Sequence, residues 1–116
     1  MGKLNIFCTS IKYFSIIDKM PKYITGLGLS DSYFPKTWLK DSKGINIRSL
    51  NNYFGELTGF YWIWKNKLNR FENDDFIGFC HYRKFWLDDK NLTKTFTFKS
   101  LYSILLNEQN IFSSFL

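Results

Sequence analysis

Alanine and valine are absent from this chain, and proline and cysteine occur only twice each among its 116 residues. Isoleucine, leucine and phenylalanine carry the apolar load instead. Together with the many asparagines and lysines, this is the bias an A/T-rich genome produces, so composition is discounted as a functional clue. The two cysteines, Cys8 and Cys80, each sit in an apolar stretch, and neither has a C-x-x-C partner. That excludes a structural zinc ribbon and predicts buried, reduced thiols in an intracellular protein. Nowhere do eighteen apolar residues follow one another, which excludes a transmembrane helix. The apolar run in the opening MGKLNIFCTS is too short for a signal peptide. The expectation is a soluble, cytoplasmic chain. Net charge is +6, yet no run of four or more basic residues occurs. The charge is either a solvated basic surface or a match for an anionic partner: a phosphorylated substrate, a membrane surface or nucleic acid. Repeats and low-complexity tracts are also missing.

What is present is an aromatic-rich core. The chain is 45% hydrophobic and 21% aromatic, and its length allows one domain, residues 1–116, burying roughly two-thirds of its unfolded surface. Residues 3–9 read as a buried first strand. Residues 10–20 read as a short helix stopped by Pro21, and TGLGLSDSYFPKTW as a glycine-punctuated loop followed by a polar turn at 41–44. The stretch NYFGELTGFYWIWKN, residues 52–66, reads as the main helix, capped by Asn51 or Asn52. At about 100° per residue, Ile63, Phe60, Tyr53, Trp64, Leu57, Tyr61 and Phe54 fall on one apolar arc. Thr58, Lys65, Gly55, Asn66, Gly59 and Trp62 fill the other side. Glu56 falls inside the apolar arc. A carboxylate buried there needs a partner, so it is either half of a structural ion pair or a group facing a ligand pocket.

DDFIGFCHYRKFW follows. Its centre, Phe76 to Cys80, is a nearly continuous apolar run of the kind found in strands buried on both faces. His81, Tyr82 and Arg83 stand at its carboxyl end, where open α/β sheets bind ligands. His81 is the only histidine, and the arginine fork suits phosphate or carboxylate. Beyond it, residues 93–99 read as a short strand, 100–106 as a helix and NIFSSFL as the start of another strand. The alternation of strands and helices predicts an α/β fold with a layered sheet.

NIRSLNNYFGELTGFYWIWKN followed by FIGFCHYRKFW resembles the bacterial capsular-polysaccharide and lipopolysaccharide glycosyltransferases filed as domain of unknown function 4422. The family pattern falls on Asn46-Ile47, Asn51, Glu56-Leu57-Thr58, Tyr61-Trp62, Trp64-Lys65-Asn66, Gly78 and His81-Tyr82-Arg83. The resemblance implies a GT-A-like (Rossmann-like), mostly parallel sheet flanked by helices. It also implies a nucleotide-sugar donor, a glycan or lipid-linked acceptor, and work in the cytoplasm at the inner face of the membrane. By the same resemblance the substrate-binding residues are Asn46, Glu56, Thr58, Lys65, Asn66, His81, Tyr82 and Arg83, with Glu56 and His81 the candidates for catalysis. His81-Tyr82-Arg83 stands about where related folds carry an Asp-x-Asp metal motif. No Asp-x-Asp occurs here, only the adjacent pairs Asp74-Asp75 and Asp88-Asp89, so a divalent metal is left open. Ile45 replaces a frequent family aspartate, and Lys84 replaces the second arginine of a His-Tyr-Arg-Arg pattern. The family domain is about twice as long, so the expectation is its N-terminal portion. The alternatives are a truncated or inactive relative with little donor binding, and a small basic nucleic-acid-binding module. The last is set aside because the helix aromatics are expected to face inward.

Overall fold

The computed structural model describes residues 2–86. The expected elements at 93–99, 100–106 and 110–116, and the pair Asp88-Asp89, lie outside the described residues.

Strand β1 (Leu4–Ser10) is the centre of the fold. Its sequence shows no apolar–polar alternation because both faces are covered. Leu4, Ile6 and Cys8 pack with Ile17, Phe34, Trp38 and Cys80, while Phe7 packs with Leu27, Leu29, Trp62 and Ile63. Strand β2 (Ile24–Gly28) pairs with one edge of β1, strand β3 (Leu39–Lys40) flanks β2, and strand β4 (Phe76–His81) pairs with the other edge of β1. All three pairings are parallel, in the order β3-β2-β1-β4. The fold is therefore the expected α/β class, a parallel sheet with helices on it. The register runs from Leu4↔Phe76 to Thr9↔His81, so the first strand and the FIGFCH strand are direct neighbours. The same register puts Cys8 opposite Cys80, and both thiols are free and buried. The Cys80 side chain and burial push the Cys8 thiol far up, which holds it protonated.

Residues 24–28 correct one expectation: ITGLG is a strand, not a loop. Its glycines are there for ring packing. A Cβ on Gly26 would lie 2.3 Å from the Trp38 ring, and one on Gly28 would lie 2.6 Å from the Phe34 ring. The helix before Pro21 is a single turn, α1 (Ser15–Asp18), which buries Ile17. It is tied to the same face by Trp38, whose Nε1–H donates to Asp18 Oδ1 at 2.7 Å.

The main helix is a second correction. It is two pieces, α2 (Asn51–Phe54) and α3 (Leu57–Asn66), separated at Gly55, whose φ is +54°. The buried face of α3 is Thr58, Gly59, Trp62 and Ile63, whereas Tyr53, Leu57 and Trp64 are exposed by 82%, 53% and 56%. The helix turns its small residues to the sheet because they allow a close approach. A Cβ on Gly59 would lie 2.8 Å from a Leu29 methyl and 3.1 Å from a Leu27 methyl. Counting hydrophobic residues around a wheel misses this, since Thr and Gly score as polar or neutral. Phe60, half-buried, keeps its expected place against the sheet, 4.1 Å from the Phe79 ring. The exposure of Trp64 and Tyr53 also removes the inward-facing aromatics as a reason to set nucleic acid aside. Among the described residues no helix is long and apolar enough to cross a membrane.

Candidate functional site

The strand order reverses between β1 and β4: the chain steps outward from β1 to β2 and β3, then returns over the sheet to β4 on the other side. Open α/β sheets leave a crevice at such a point, outside the carboxyl ends of the strands. Thr9 and Ser10 end β1 there, and His81 ends β4 as the register partner of Thr9. The break at Gly55 aims the amino end of α3 at the same place. Only a residue free to take positive φ makes this turn without strain. The result is a cleft of about 520 Å³. Thr9 and Ser10 line it from β1, Asn51 and Glu56 from the helix break, and His81, Arg83 and Lys84 from the end of β4. A recess of about 300 Å³ adjoins it, sharing Glu56, His81 and Lys84 and walled by Phe60, Phe79, Phe85 and Trp86.

Glu56 is exposed, not buried in an apolar arc, because the break at Gly55 takes it off the wheel of a continuous helix. The Thr9 hydroxyl donates toward its Oε2 at 3.4 Å and toward the Cys80 carbonyl at 3.2 Å. His81 and Lys84 close a tight turn, exchanging backbone hydrogen bonds of 2.9 and 2.8 Å. The Arg83 amide donates to His81 Nδ1 at 3.4 Å. Arg83 and Lys84 are exposed, so the cleft presents one carboxylate and two mobile-headed cations around a histidine.

A family profile described as "Domain of unknown function (DUF4422)" matches residues 6–114. The chain belongs to the DUF4422 family. A solved structure described as the WbbM bifunctional glycosyltransferase in its apo form is similar to it at 25% identity, with a TM-score of 0.57. The match covers 83% of this DUF4422 chain and 16% of that chain. The fold is glycosyltransferase-like on that likeness, and the chain spans less than a fifth of the WbbM chain. No curated protein matches it.

The motif residues of the DUF4422 chain separate in space. Glu56, His81 and Arg83 meet in the cleft. Tyr82 leaves it, stacking on Phe14 with centroids 4.7 Å apart, while the Arg83 guanidinium lies 5.1 Å from its ring centroid. Thr58 lies beneath the cleft, fully buried. Its hydroxyl bonds with Asp41 Oδ2 at 3.0 Å and with the Gly55 carbonyl at 3.1 Å, and it accepts from the Asn51 amide at 3.0 Å. Asn66 stands at the far end of α3, where it donates to the Ile45 carbonyl at 2.7 Å and accepts from the Ile45 amide at 3.2 Å. Asn46 folds back on its own loop, donating to the Gly44 carbonyl at 2.8 Å. The Trp62 Nε1–H closes the same loop by donating to the Lys43 carbonyl. Lys65 lies over the exposed Trp64 ring, 3.9 Å from its centroid. It is about 12 Å from the start of α3 by the rise of a helix.

Sequence reasoning missed Thr9, Ser10 and Lys84 as cleft residues. The first two carry a signal, since the strand-end rule applied to Phe76–His81 applies equally to β1. Asp41, read as part of a polar turn, is 1% exposed. Burial pushes its carboxyl up, opposed by the Thr58 hydrogen bond and the charge of Arg48, and its Oδ1 has no hydrogen-bond partner. Nothing in the local sequence marks an aspartate in a polar turn as buried.

Proposed function

We propose that this chain is the donor-binding part of a nucleotide-sugar-dependent glycosyltransferase acting in capsular or lipopolysaccharide biosynthesis. The observation that carries the reading is the convergence of Glu56, His81 and Arg83, from two separate motif segments, on the cleft at the reversal of strand order. In this reading Arg83 meets the diphosphate, since a guanidinium fork matches phosphate oxygens in pairs. The amino end of α3 adds a favourable field for an anion. Glu56, already accepting from one hydroxyl, accepts from the hydroxyls of the donor sugar. His81 offers a ring nitrogen to the same space. The aromatic recess offers ring faces to the planar base or the apolar face of a sugar. Asn46, Asn66, Thr58 and Lys65 support the site from a distance, and Tyr82 anchors the strand end that carries Arg83. The acceptor, a glycan or lipid-linked glycan, and the setting at the inner face of the membrane follow from the family resemblance.

Calorimetric titration with uridine- and guanosine-diphosphate sugars tests it. At least one is expected to bind with millimolar or better affinity, about −4 kcal/mol. Glu56→Gln keeps shape and removes charge, and is expected to weaken that binding about tenfold, or ~1.4 kcal/mol, without lowering the melting temperature. A fall in melting temperature with unchanged binding assigns Glu56 to the scaffold and sinks its role in the site.

A further inference from the structure

The family resemblance implies that His81-Tyr82-Arg83 stands about where related folds hold a divalent metal with an Asp-x-Asp motif. Among the described residues the donor set at the cleft does not fit one. Magnesium and manganese call for oxygen ligands, carboxylates above all. Glu56 is the single carboxylate among the described residues lining the cleft, and Thr9 is hydrogen-bonded to it. The other ionisable groups there are His81, Arg83 and Lys84. Asp74 and Asp75 precede β4, at the opposite end of that strand, and Asp75 is bound to the backbone amides of Lys3 and Glu72. Asp41 is buried against Thr58. Among the described residues no group of three or more His, Cys, Asp or Glu side chains could hold a metal ion.

We propose that the cleft holds the diphosphate of its donor with Arg83 and Lys84 and needs no divalent cation to do so. The inference rests on the donor-binding reading above. Each phosphate of an esterified diphosphate carries one negative charge, and two cations at the strand end match that charge. The same two cations repel a metal ion placed between them and Glu56. Lys84, where the family pattern has arginine, keeps the charge this role requires and gives up only the fork.

The test is binding of uridine- and guanosine-diphosphate sugars to the full chain by ligand-observed NMR, first in excess EDTA and then in excess magnesium or manganese. Affinity is expected to agree within about twofold between the two conditions, and to fall with rising salt as exposed charges are screened. In EDTA, the double variant Arg83→Ala/Lys84→Ala is expected to bind at least about tenfold more weakly, with thermal unfolding unchanged. Binding that appears only with the metal overturns this inference and leaves the donor-binding reading standing. Binding in EDTA that ignores the double variant overturns it as well. No binding under either condition removes both the inference and the reading on which it rests.

Discussion

The two ends of α3 carry equally strong parts of the family pattern, and they are built differently. At the amino end, Glu56 is exposed, accepts from the Thr9 hydroxyl at 3.4 Å, and looks across a cleft at His81 and Arg83. At the carboxyl end, Asn66 spends its amide on the backbone of Ile45 and Trp62, and Trp62 spends its indole N–H on Lys43. One end keeps polar groups available, while the other uses them to clamp a loop. A polar residue in a recurring motif is therefore not by itself a contact residue. What separates the two kinds is whether its hydrogen-bonding capacity is already spent on backbone.

This comparison can be broken by substitution. The largest effect is expected at Trp62, which is 4% exposed against Phe7, Leu27 and Leu29. Trp62→Ala should cost about 3–5 kcal/mol, whereas Trp64→Ala, at an exposed site, should stay within about 0.5 kcal/mol. Urea denaturation of the two variants decides it, and the reverse order would return the helix face to the one the hydrophobic arc suggests. Asn66→Ala should cost about 1–2 kcal/mol by releasing the 44–46 loop. Nucleotide binding per folded molecule should not change. Arg83→Ala should do the opposite, weakening nucleotide-sugar binding about tenfold while denaturation stays within about 0.5 kcal/mol.

The smallest effect is one of pH. The buried Asp41 carboxyl is raised above its ordinary 3.8, chiefly by desolvation. Folded protein therefore holds a proton that unfolded protein releases, so this group's contribution falls as pH rises from the ordinary carboxylate value through the raised one. Asp75 acts in the opposite sense. Its carboxyl is lowered by the amides of Lys3 and Glu72, so its contribution is present above the ordinary value and lost as pH falls. Asp41→Asn, neutral throughout, should flatten the fall across that window, read as the slope of unfolding free energy against pH. A variant with the wild-type slope would show that Asp41 is not the group responsible.

Much of the fold was legible because β1 and β4 announce themselves as compact apolar stretches bounded by polar residues, and such stretches pair in parallel under covering layers. The helix face was not legible for a definite reason. Hydrophobic patterning rewards large side chains, while α3 meets the sheet through Thr58 and Gly59, and the positive φ of Gly55 re-phases everything before it. ITGLG was lost in the same way, its glycines reading as a loop when they make room for Trp38 and Phe34. For the site, the strand-end rule led to His81 and Arg83, and an out-of-place charge led to Glu56, though through a burial that the break at Gly55 removes. Asp41 and the Asn66 clamp depend on contacts far apart in sequence, which no local pattern encodes.

The division between a binding end and a clamped end is tested most directly by amide chemical-shift mapping during titration with a nucleotide sugar. The account predicts that the amides of Thr9, Ser10, Gly55, Glu56, His81, Arg83 and Lys84 move together along one binding curve. Those of Gly44, Ile45, Asn46 and Asn66 should stay where they are. Shifts centred on residues 44–46 and Asn66, with the strand ends unmoved, would contradict it.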